Sequence, residues 1–256
     1  MRLVTFGDLL LDVIARVDGT FVSGDDQMAQ TATGAGGQAA NVAAWAAALG
    51  ADARFVGRTG DDTAGALVRA ALAGYGVDVR GPVAGRTGVV VSIAAGGDRS
   101  MVSDRGTAPD LAPHDLAASW FDGDVLHISG YSLLVEPMAA AAAEAARLAT
   151  GTVSLDVSTF TLVDGRFRER VRELAPDVVF ATEREQDALG DLDTRWVLKR
   201  GARGLTVDGR DYPAVGADVV DTTGAGDALA AGFLVGGPEL ALETAARCVA
   251  KMGAMP

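Results

Sequence analysis

The stretch DTTGAGDALAAGF, residues 221–233, brackets small residues with carboxylates directly before an apolar segment. The small size of Gly224, Ala225 and Gly226 lets consecutive backbone N–H groups converge on one point. A helix that starts around Asp227 would add its positive N-terminal dipole, and the two together would bind an anion. A carboxylate beside that anion is suited to accept a proton from an attacking hydroxyl group. The alternative interpretation is an ordinary N-cap at Asp227, preceded by a glycine turn.

A second small-residue stretch, TGAGGQAANVA at 33–43, contains a G-x-G-x-x-A pattern close to a dinucleotide fingerprint. That fingerprint requires an apolar strand directly before it, which we do not predict here, so a nicotinamide-dependent oxidoreductase is disfavoured. Alternatively, Gly36 and Gly37 let the backbone approach a ligand that Asn41 also reaches, or a helix starts here without a ligand. Asp12 follows the first predicted strand, where a carboxylate can accept hydrogen bonds from sugar hydroxyls. A solvated turn is the alternative for Asp12.

Two further segments, FATERE and LKRGARG, also follow predicted strands. Glu183 and Glu185 can support Mg²⁺ through water molecules, because Mg²⁺ keeps much of its hydration shell. A solvated helix N-terminus rich in Glu is the alternative. Lys199, followed by Gly201, can meet a nucleotide phosphate, and an exposed lysine is the alternative.

Composition and charge narrow the class of protein. The 256 residues carry a net charge of −12, and such an acidic chain repels the nucleic-acid backbone, so we expect no nucleic-acid partner. Acidic residues interrupt the N-terminal apolar stretch, and we expect no membrane partner. The single cysteine, Cys248, is typical of a reducing compartment, which predicts a cytoplasmic protein. P-loop and G-x-S-x-G motifs are absent from the sequence, and we expect His127 to lie in the core.

The elements that must position these residues show a regular pattern. Strand-like and helix-like segments alternate from about residue 124 onward, which predicts a parallel sheet covered on both faces. TGVVVSIAAGGDRSMVSDRG, residues 87–106, instead indicates a hairpin that turns at Gly96–Gly97. We expect it to form a small β appendage, with VIARVDG as a second strand segment and a polar stretch reaching to about Thr33.

Two signatures carry a family resemblance: GGQAANVA followed by VGRTGDDTAG and GVDV, and DTTGAGDALAAGF. On these motifs the chain resembles the ribokinase-like (PfkB) carbohydrate kinases over nearly its whole length. The resemblance implies a three-layer α/β/α sandwich with a mostly parallel central sheet and a small β lid. It implies one domain, residues 1–256, with lid segments at about 12–20 and 86–105.

The resemblance also implies an activity, in which the γ-phosphoryl group of ATP passes to a hydroxyl of a small sugar, as in ribokinase, fructokinase or sugar-acid kinases. A nucleoside kinase of adenosine or pseudouridine type and a catalytically silent sugar-binding homologue are the alternatives. Scarce aromatic residues favour a sugar. The implied lid can also form a homodimer contact.

The implied site residues fall into four groups. The resemblance makes Asp227 the catalytic base and Gly224, Ala225 and Gly226 the anion hole. The implied ligand-binding residues are Asp12, Gly36, Gly37 and Asn41 for the substrate, and Thr182, Lys199, Gly201 and Gly204 for ATP. Glu185 is implied for Mg²⁺ through water, and Asp221 and Thr223 for a monovalent cation, K⁺ in many members. Thr182 stands where the family usually has Asn.

Overall fold

Two β-sheets and seven α-helices make up residues 1–96 and 98–256, which a computed structural model describes. The strands are β1 (Arg2–Phe6), β2 (Leu10–Val17), β3 (Ala29–Gly36), β4 (Asp52–Val56), β5 (Asp78–Arg80), β6 (Thr87–Ala95), β7 (Asp98–Gly106), β8 (Val125–Ser129), β9 (Thr152–Asp156), β10 (Val178–Ala181), β11 (Arg195–Lys199), β12 (Leu205–Val207) and β13 (Arg210–Tyr212). The helices are α1 (Gln38–Ala48), α2 (Thr63–Gly74), α3 (Met138–Leu148), α4 (Gly165–Leu174), α5 (Glu183–Leu189), α6 (Ala225–Gly236) and α7 (Pro238–Val249).

The large sheet has nine strands in the order β13-β12-β11-β10-β9-β8-β1-β4-β5. The strands from β11 to β5 pair in parallel, and β12 and β13 add an antiparallel edge. Central strands such as β8 are buried along their whole length, as expected for a sheet covered on both faces. The predicted, mostly parallel sheet is confirmed, and β5 and β13 are short strands that the sequence pattern did not indicate.

Two apolar cores, one on each face of this sheet, define three layers. Successive side chains of a strand point to opposite faces, so Leu3 joins one core and Val4 the other. The first core holds α1, α2, α6 and α7, and the second holds α3, α4 and α5. The three-layer α/β/α arrangement is therefore confirmed. His127 lies fully buried on β8, as predicted, and burial lowers its pKa to about 4.

The small sheet has the strand order β3-β2-β6-β7. The predicted hairpin is present as the antiparallel pair β6–β7, although Gly97 of its expected turn lies outside the described residues. Strand β3 was not predicted, because AQTATGAG has no apolar alternation and is mostly exposed. The segment is a strand because it pairs with β2 along its whole length. A strand therefore does precede the glycines at 36 and 37, contrary to our expectation, but it belongs to the small sheet and not to a dinucleotide-binding unit.

Asp62 ties the small sheet to the large one. Its carboxylate caps α2 by accepting the Gly65 N–H at 2.8 Å, and it also accepts the backbone N–H of Thr87 at 2.9 Å and the Thr87 hydroxyl. Thr87 is the first residue of β6. These hydrogen bonds, chiefly those from Thr87, lower the pKa of Asp62 to about 2. The base of the small sheet is thus fixed at the start of α2.

The length and the apolar content of the helices show whether any of them could cross a membrane. Within residues 1–96 and 98–256, none of them is long and apolar enough to cross a membrane.

Candidate active site

Three strands of the large sheet end in polar residues at one edge, as parallel strands allow. Strands β8, β9 and β11 end at Ser129, Asp156 and Lys199. Between this edge and the small sheet lies a cavity of about 330 Å³, which we call the polar cavity. Its lining includes Asp8, Asp12, Gly37, Gln38, Asn41, Ser103, Arg105, Ser129, Tyr131, Asp156, Ser158, Lys199, Thr223, Gly224, Gly226 and Asp227.

Helix α6 points its N-terminus at the polar cavity. It begins at Ala225, two residues earlier than predicted, and Gly224 before it adopts a left-handed conformation with φ 75°. A Cβ atom at Gly224 would come within 2.5 Å of the Ala254 Cβ atom, so this position requires glycine for space as well as for conformation. Asp227 is the third residue of the helix, and the interpretation of Asp227 as an N-cap is therefore wrong.

The Asp227 carboxylate is held by Asn41. The Asn41 Nδ2 group donates a 2.7 Å hydrogen bond to Asp227 Oδ2, while the buried Asn41 Oδ1 has no partner among the described residues. Burial raises the pKa of Asp227 to about 7, and the carboxylates of Asp156 and Asp12 raise it too. The hydrogen bond from Asn41 and the charge of Lys199 oppose that rise. A carboxyl group that titrates near neutrality is suited to general base catalysis.

Lys199 forms an ion pair at the floor of the polar cavity. Its Nζ atom lies 2.8 Å from both oxygens of Asp156, which also accepts the Ser158 N–H at 2.8 Å. Burial lowers the pKa of Lys199, but the charge and hydrogen bonding of Asp156 outweigh this effect and raise it overall. Lys199 therefore stays cationic, and the interpretation as an ordinary exposed lysine is wrong, since 16% of its side chain is exposed.

Asp12 meets Gly36, the last residue of β3, and Gly37, which precedes α1, on the opposite wall of the polar cavity. Asp12 follows β1 in the chain but lies inside β2, so the alternative of a solvated turn is wrong, and its side chain lines the cavity. A Cβ atom at Gly36 would lie 2.1 Å from Asp12 Oδ2, which shows that Gly36 leaves room for this carboxylate. Gly37 has φ 100°, and a Cβ atom there would lie 2.4 Å from the carbonyl oxygen of Asp8.

Several polar residues of this cavity were not predicted from the sequence. Gln38 Oε1 accepts hydrogen bonds from the hydroxyls of Ser129 at 2.5 Å and Ser158 at 2.7 Å. Arg105 donates to both oxygens of Asp8, at 2.6 and 2.9 Å. The available signal was position, because a polar residue that follows a buried strand lies at the ligand-binding edge of a parallel sheet. That rule would have found Asp156 in the segment LDVS.

A second cavity of about 500 Å³, which we call the apolar cavity, lies beside α6 and α7. Its lining is Lys199, Gly201, Ala202, Ala214, Val215, Gly216, Ala217, Val219, Thr222, Ala225, Gly226, Leu229, Leu242, Ala245, Ala246 and Val249. Lys199 and Gly226 line both cavities. A Cβ atom at Gly226 would lie 3.9 Å from Lys199 Nζ, so the ammonium group faces the start of α6.

Three of the residues predicted for ATP and Mg²⁺ line neither cavity: Thr182, Glu185 and Gly204. Thr182 caps α5, its N–H donates to Glu185 Oε2 at 2.7 Å, and Glu185 is buried rather than solvated. Gly204 has φ 92°, and a Cβ atom there would lie 1.9 Å from the Tyr212 carbonyl oxygen. The described contacts of these three residues are structural.

Asp221 and Thr223, predicted for a monovalent cation, lie in the loop before α6. Asp221 Oδ1 accepts the Thr223 N–H at 2.9 Å, and Oδ2 accepts the Gly253 N–H at 3.0 Å. The buried Cys248 thiol donates to the Thr223 carbonyl oxygen at 3.3 Å. The 221–223 loop is thus joined to the segment after α7. Among the described residues, no cluster of three or more His, Cys, Asp or Glu could hold a metal ion.

Comparison with known proteins shows the family. The chain matches the pfkB family carbohydrate kinases over residues 1–255. The chain belongs to this family. It is therefore a phosphotransferase with an alcohol group as acceptor, and the predicted family and class of activity are confirmed.

Individual relatives agree with the assignment to the pfkB family. The chain is 34% identical to an ATP-dependent ribose-1-phosphate kinase from Halopiger xanaduensis, over 97% of this chain and 90% of that protein. It is 30% identical to fructokinase-1 from Oryza sativa, over 90% and 81%. Adenosine kinase from Sinorhizobium meliloti has a similar structure, with a TM-score of 0.86 at 25% identity, covering 99% and 95%. All of these similarities are consistent with a ribokinase-like fold and with dependence on ATP.

Proposed function

We propose that this pfkB-family kinase transfers the γ-phosphoryl group of ATP to a hydroxyl group of a small sugar. The observation that carries the proposal is the junction of the two cavities at Lys199 and Gly226. A hydrogen-bonding cavity suits a polyol, and an apolar cavity suits a nucleotide base. Asp227 lies on the polar side of the junction, where a base for the acceptor hydroxyl is required.

The acceptor binds in the polar cavity in this proposal. Asp12 and Asn41 Oδ1 accept hydrogen bonds from sugar hydroxyls, and Gly36 and Gly37 keep the wall open for them. A buried amide oxygen without a partner is costly, so a ligand hydroxyl that meets Asn41 would be favoured. Similarity to a ribose-1-phosphate kinase and a fructokinase supports a sugar.

The transfer step follows from the position of Asp227. Its carboxylate accepts the proton of the acceptor hydroxyl, whose oxygen bonds to the γ-phosphorus as the bond to the β-phosphate oxygen breaks, and ADP leaves. The backbone N–H groups of Gly224, Ala225 and Gly226 and the ammonium group of Lys199 stabilise the charge on the transferring group. Gly201 borders the apolar cavity, where the nucleotide binds in this proposal. Thr182 and Gly204 fix the loops behind it.

Metal ions are part of the proposed reaction. The absence of a carboxylate cluster in the described residues fits Mg²⁺, which is held mainly by phosphates and water. Glu185 is buried and lines neither cavity, but its charge helps to raise the pKa of Lys199, and we assign it to Mg²⁺ through intervening water. Mg²⁺ when bound would neutralise phosphate charge. We assign Asp221 and Thr223 to a monovalent cation, K⁺, since their loop supplies carboxylate and carbonyl oxygens beside the start of α6.

The small sheet acts as a lid in this proposal and also forms a homodimer contact. It covers the polar cavity, and the lid would exclude water that otherwise hydrolyses ATP. Met101 of β7 lines the polar cavity, so Val102 points to the opposite face of the sheet, where it is 68% exposed, which supports a partner on that face. The proposed contact predicts that the protein is a dimer and that Val102→Asp dissociates it. Sedimentation of both proteins tests this.

A nucleoside acceptor is the second candidate. The structural similarity to adenosine kinase favours it, and Tyr131 could stack on a base from its place in the polar cavity.

ADP release with Mg-ATP, with and without K⁺, across pentoses, hexoses, sugar acids and nucleosides tests the proposal. We expect release that depends on one acceptor class, that falls about 100-fold or more in Asp227→Asn, and that is retained in the exposed-site control Glu169→Gln. An Asp227→Asn enzyme with wild-type turnover would refute the assigned base. Absence of release with every acceptor would favour the silent homologue.

A further inference from the structure

The ion pair between Asp156 and Lys199 occupies the junction of the two cavities. The residues end β9 and β11, and β10 lies between those strands, so the pair bridges the carboxyl end of β10. Only 1% of the Asp156 side chain and 16% of the Lys199 side chain are exposed. Asp156 therefore contacts bulk solvent hardly at all, while Lys199 reaches both cavities.

We propose that Asp156 is a positioning residue for phosphoryl transfer, which holds the Lys199 ammonium group against the start of α6 where the transferring group must pass. This inference rests on the proposed function. Asp156 acts on the transferring group only through Lys199, and Lys199 meets the phosphoryl group.

Hydrogen bonds of Ser158, two residues after Asp156, fix the position of the Asp156 carboxylate. Ser158 adopts a left-handed conformation with φ 76°, and its N–H donates to Asp156 Oδ1 at 2.8 Å. The Ser158 hydroxyl donates in turn to Gln38 at the start of α1. A non-glycine residue in this conformation is strained and persists only where its surroundings impose it. The carboxylate therefore has one location, and it imposes one on the ammonium group.

The hydrogen-bond count leaves Lys199 able to bind a phosphoryl oxygen. An ammonium group has three N–H donors. Two of them are directed at the two Asp156 oxygens, each at 2.8 Å. The third is left for an anion at the start of α6, where a Cβ atom at Gly226 would lie 3.9 Å from the Lys199 Nζ atom.

Asp156 and Lys199 also have opposite effects on the pKa of the proposed base, Asp227. The groups that act on the pKa of Asp227 are Asp156 on β9, Lys199 on β11, Asp12 on β2 and Asn41 on α1. Both other carboxylates raise that pKa, whereas Lys199 and Asn41 lower it. Burial raises the pKa of Tyr131 and of Cys248 on α7, and the carboxyl of Asp227 raises both further. Removal of Asp156 and removal of Lys199 should therefore move the pH profile in opposite directions.

A purely structural ion pair is the competing explanation, because removal of one partner leaves the other charge buried and uncompensated, which destabilises the fold. It predicts lower melting temperatures without a change in kcat or in the pH profile of the folded fraction. A positioning role instead predicts coupling between the two residues that a double-mutant cycle measures.

The experiment compares Asp156→Asn, Lys199→Met, the double variant and the conservative variant Asp156→Glu, all as full chains with the acceptor found above. We expect kcat to fall about 100-fold in Lys199→Met and at least about 10-fold in Asp156→Asn, with KM for the acceptor within about threefold of wild type. The midpoint of the pH profile should rise in Lys199→Met and fall in Asp156→Asn. The double variant should be no slower than Lys199→Met within about threefold.

Two results would overturn the inference. One is a folded Asp156→Asn enzyme with kcat within about threefold of wild type, and the other is a double variant whose loss equals the product of the single losses. If Asp156→Asn does not fold, Asp156→Glu decides, since it keeps the charge but displaces the ammonium group. It should lose at least about 10-fold in kcat, and full activity would refute positioning. A wild-type chain without acceptor-dependent ADP release would instead refute the proposed function.

Discussion

Replacement of Asp227 by Asn should stabilise the ligand-free protein while it removes the activity. Burial raises the pKa of this carboxyl from its ordinary value of 3.8 to about 7, so the folded state resists ionisation. Below about pH 4 the carboxyl is protonated in both states and costs nothing. Between about pH 4 and pH 7 the unfolded chain releases the proton first, and the wild-type protein loses stability. An asparagine has no charge to bury, and its side-chain oxygen can still accept the hydrogen bond from Asn41.

The size of the effect can be estimated from the shift. The interval between 3.8 and about 7 corresponds to roughly 4 kcal/mol as an upper bound. The Asp227 side chain is only partly buried, and solvent screening reduces this figure to about 1–2 kcal/mol. For a chain of this size, that corresponds to a rise in melting temperature of roughly 2–8 °C.

Thermal unfolding of wild type and Asp227→Asn between pH 4 and pH 8, without ATP or acceptor, measures the effect. The two melting curves should coincide near pH 4 and separate as the pH rises. Asp62→Asn is the control of opposite sign, because the pKa of Asp62 is lowered to about 2 and that substitution should destabilise. A constant difference between wild type and Asp227→Asn at every pH, or a less stable Asp227→Asn at pH 8, would refute the reasoning.

Three further predictions concern Asp62, at the base of the small sheet, and two residues of the polar cavity, Gly36 and Asn41. Asp62→Asn should cost about 1–2 kcal/mol through lost hydrogen bonds, and wild type should lose the same stability as the pH falls from about 4 to 2, both measured by urea unfolding. Gly36→Ala should raise KM for the acceptor at least about 10-fold, because its Cβ atom would displace Asp12; Gly34→Ala, with open space around it, is the matched control in the same kinetic assay. Asn41→Ala should raise the midpoint of the pH–rate profile, since Asn41 lowers the pKa of the proposed base.

Specific results would contradict each of these. Equal urea midpoints for Asp62→Asn and wild type at pH 7 would mean that the cap contributes nothing. Equal effects of Gly36→Ala and Gly34→Ala on KM would show that crowding of Asp12 is not the cause. An unchanged or lowered pH midpoint in Asn41→Ala would remove Asn41 from the control of the base.

The sequence by itself determined the layers and the presence of a helix that begins near the small residues at 224–226. Apolar strands that alternate with amphipathic helices have one stable arrangement, a parallel sheet covered on both faces. The small residues at 224–226 predicted an anion site, since few sequences let backbone N–H groups converge. The convergence of backbone N–H groups depends on neighbouring residues, so it can be predicted without the rest of the chain.

Only the tertiary structure decided what those residues meet. Strand β3 exists because β2 offers it a hydrogen-bonding partner, which its own exposed, polar sequence does not reveal. The pairing of Asp156 with Lys199 joins residues 43 positions apart across the end of β10. Asn41 and Asp227 are 186 positions apart in the chain, yet the fold joins them by a hydrogen bond. Burial and this hydrogen bond both act on the pKa of the Asp227 carboxyl. Desolvation and charge–charge distance depend on packing, so a sequence can name the acid but only the fold sets its strength.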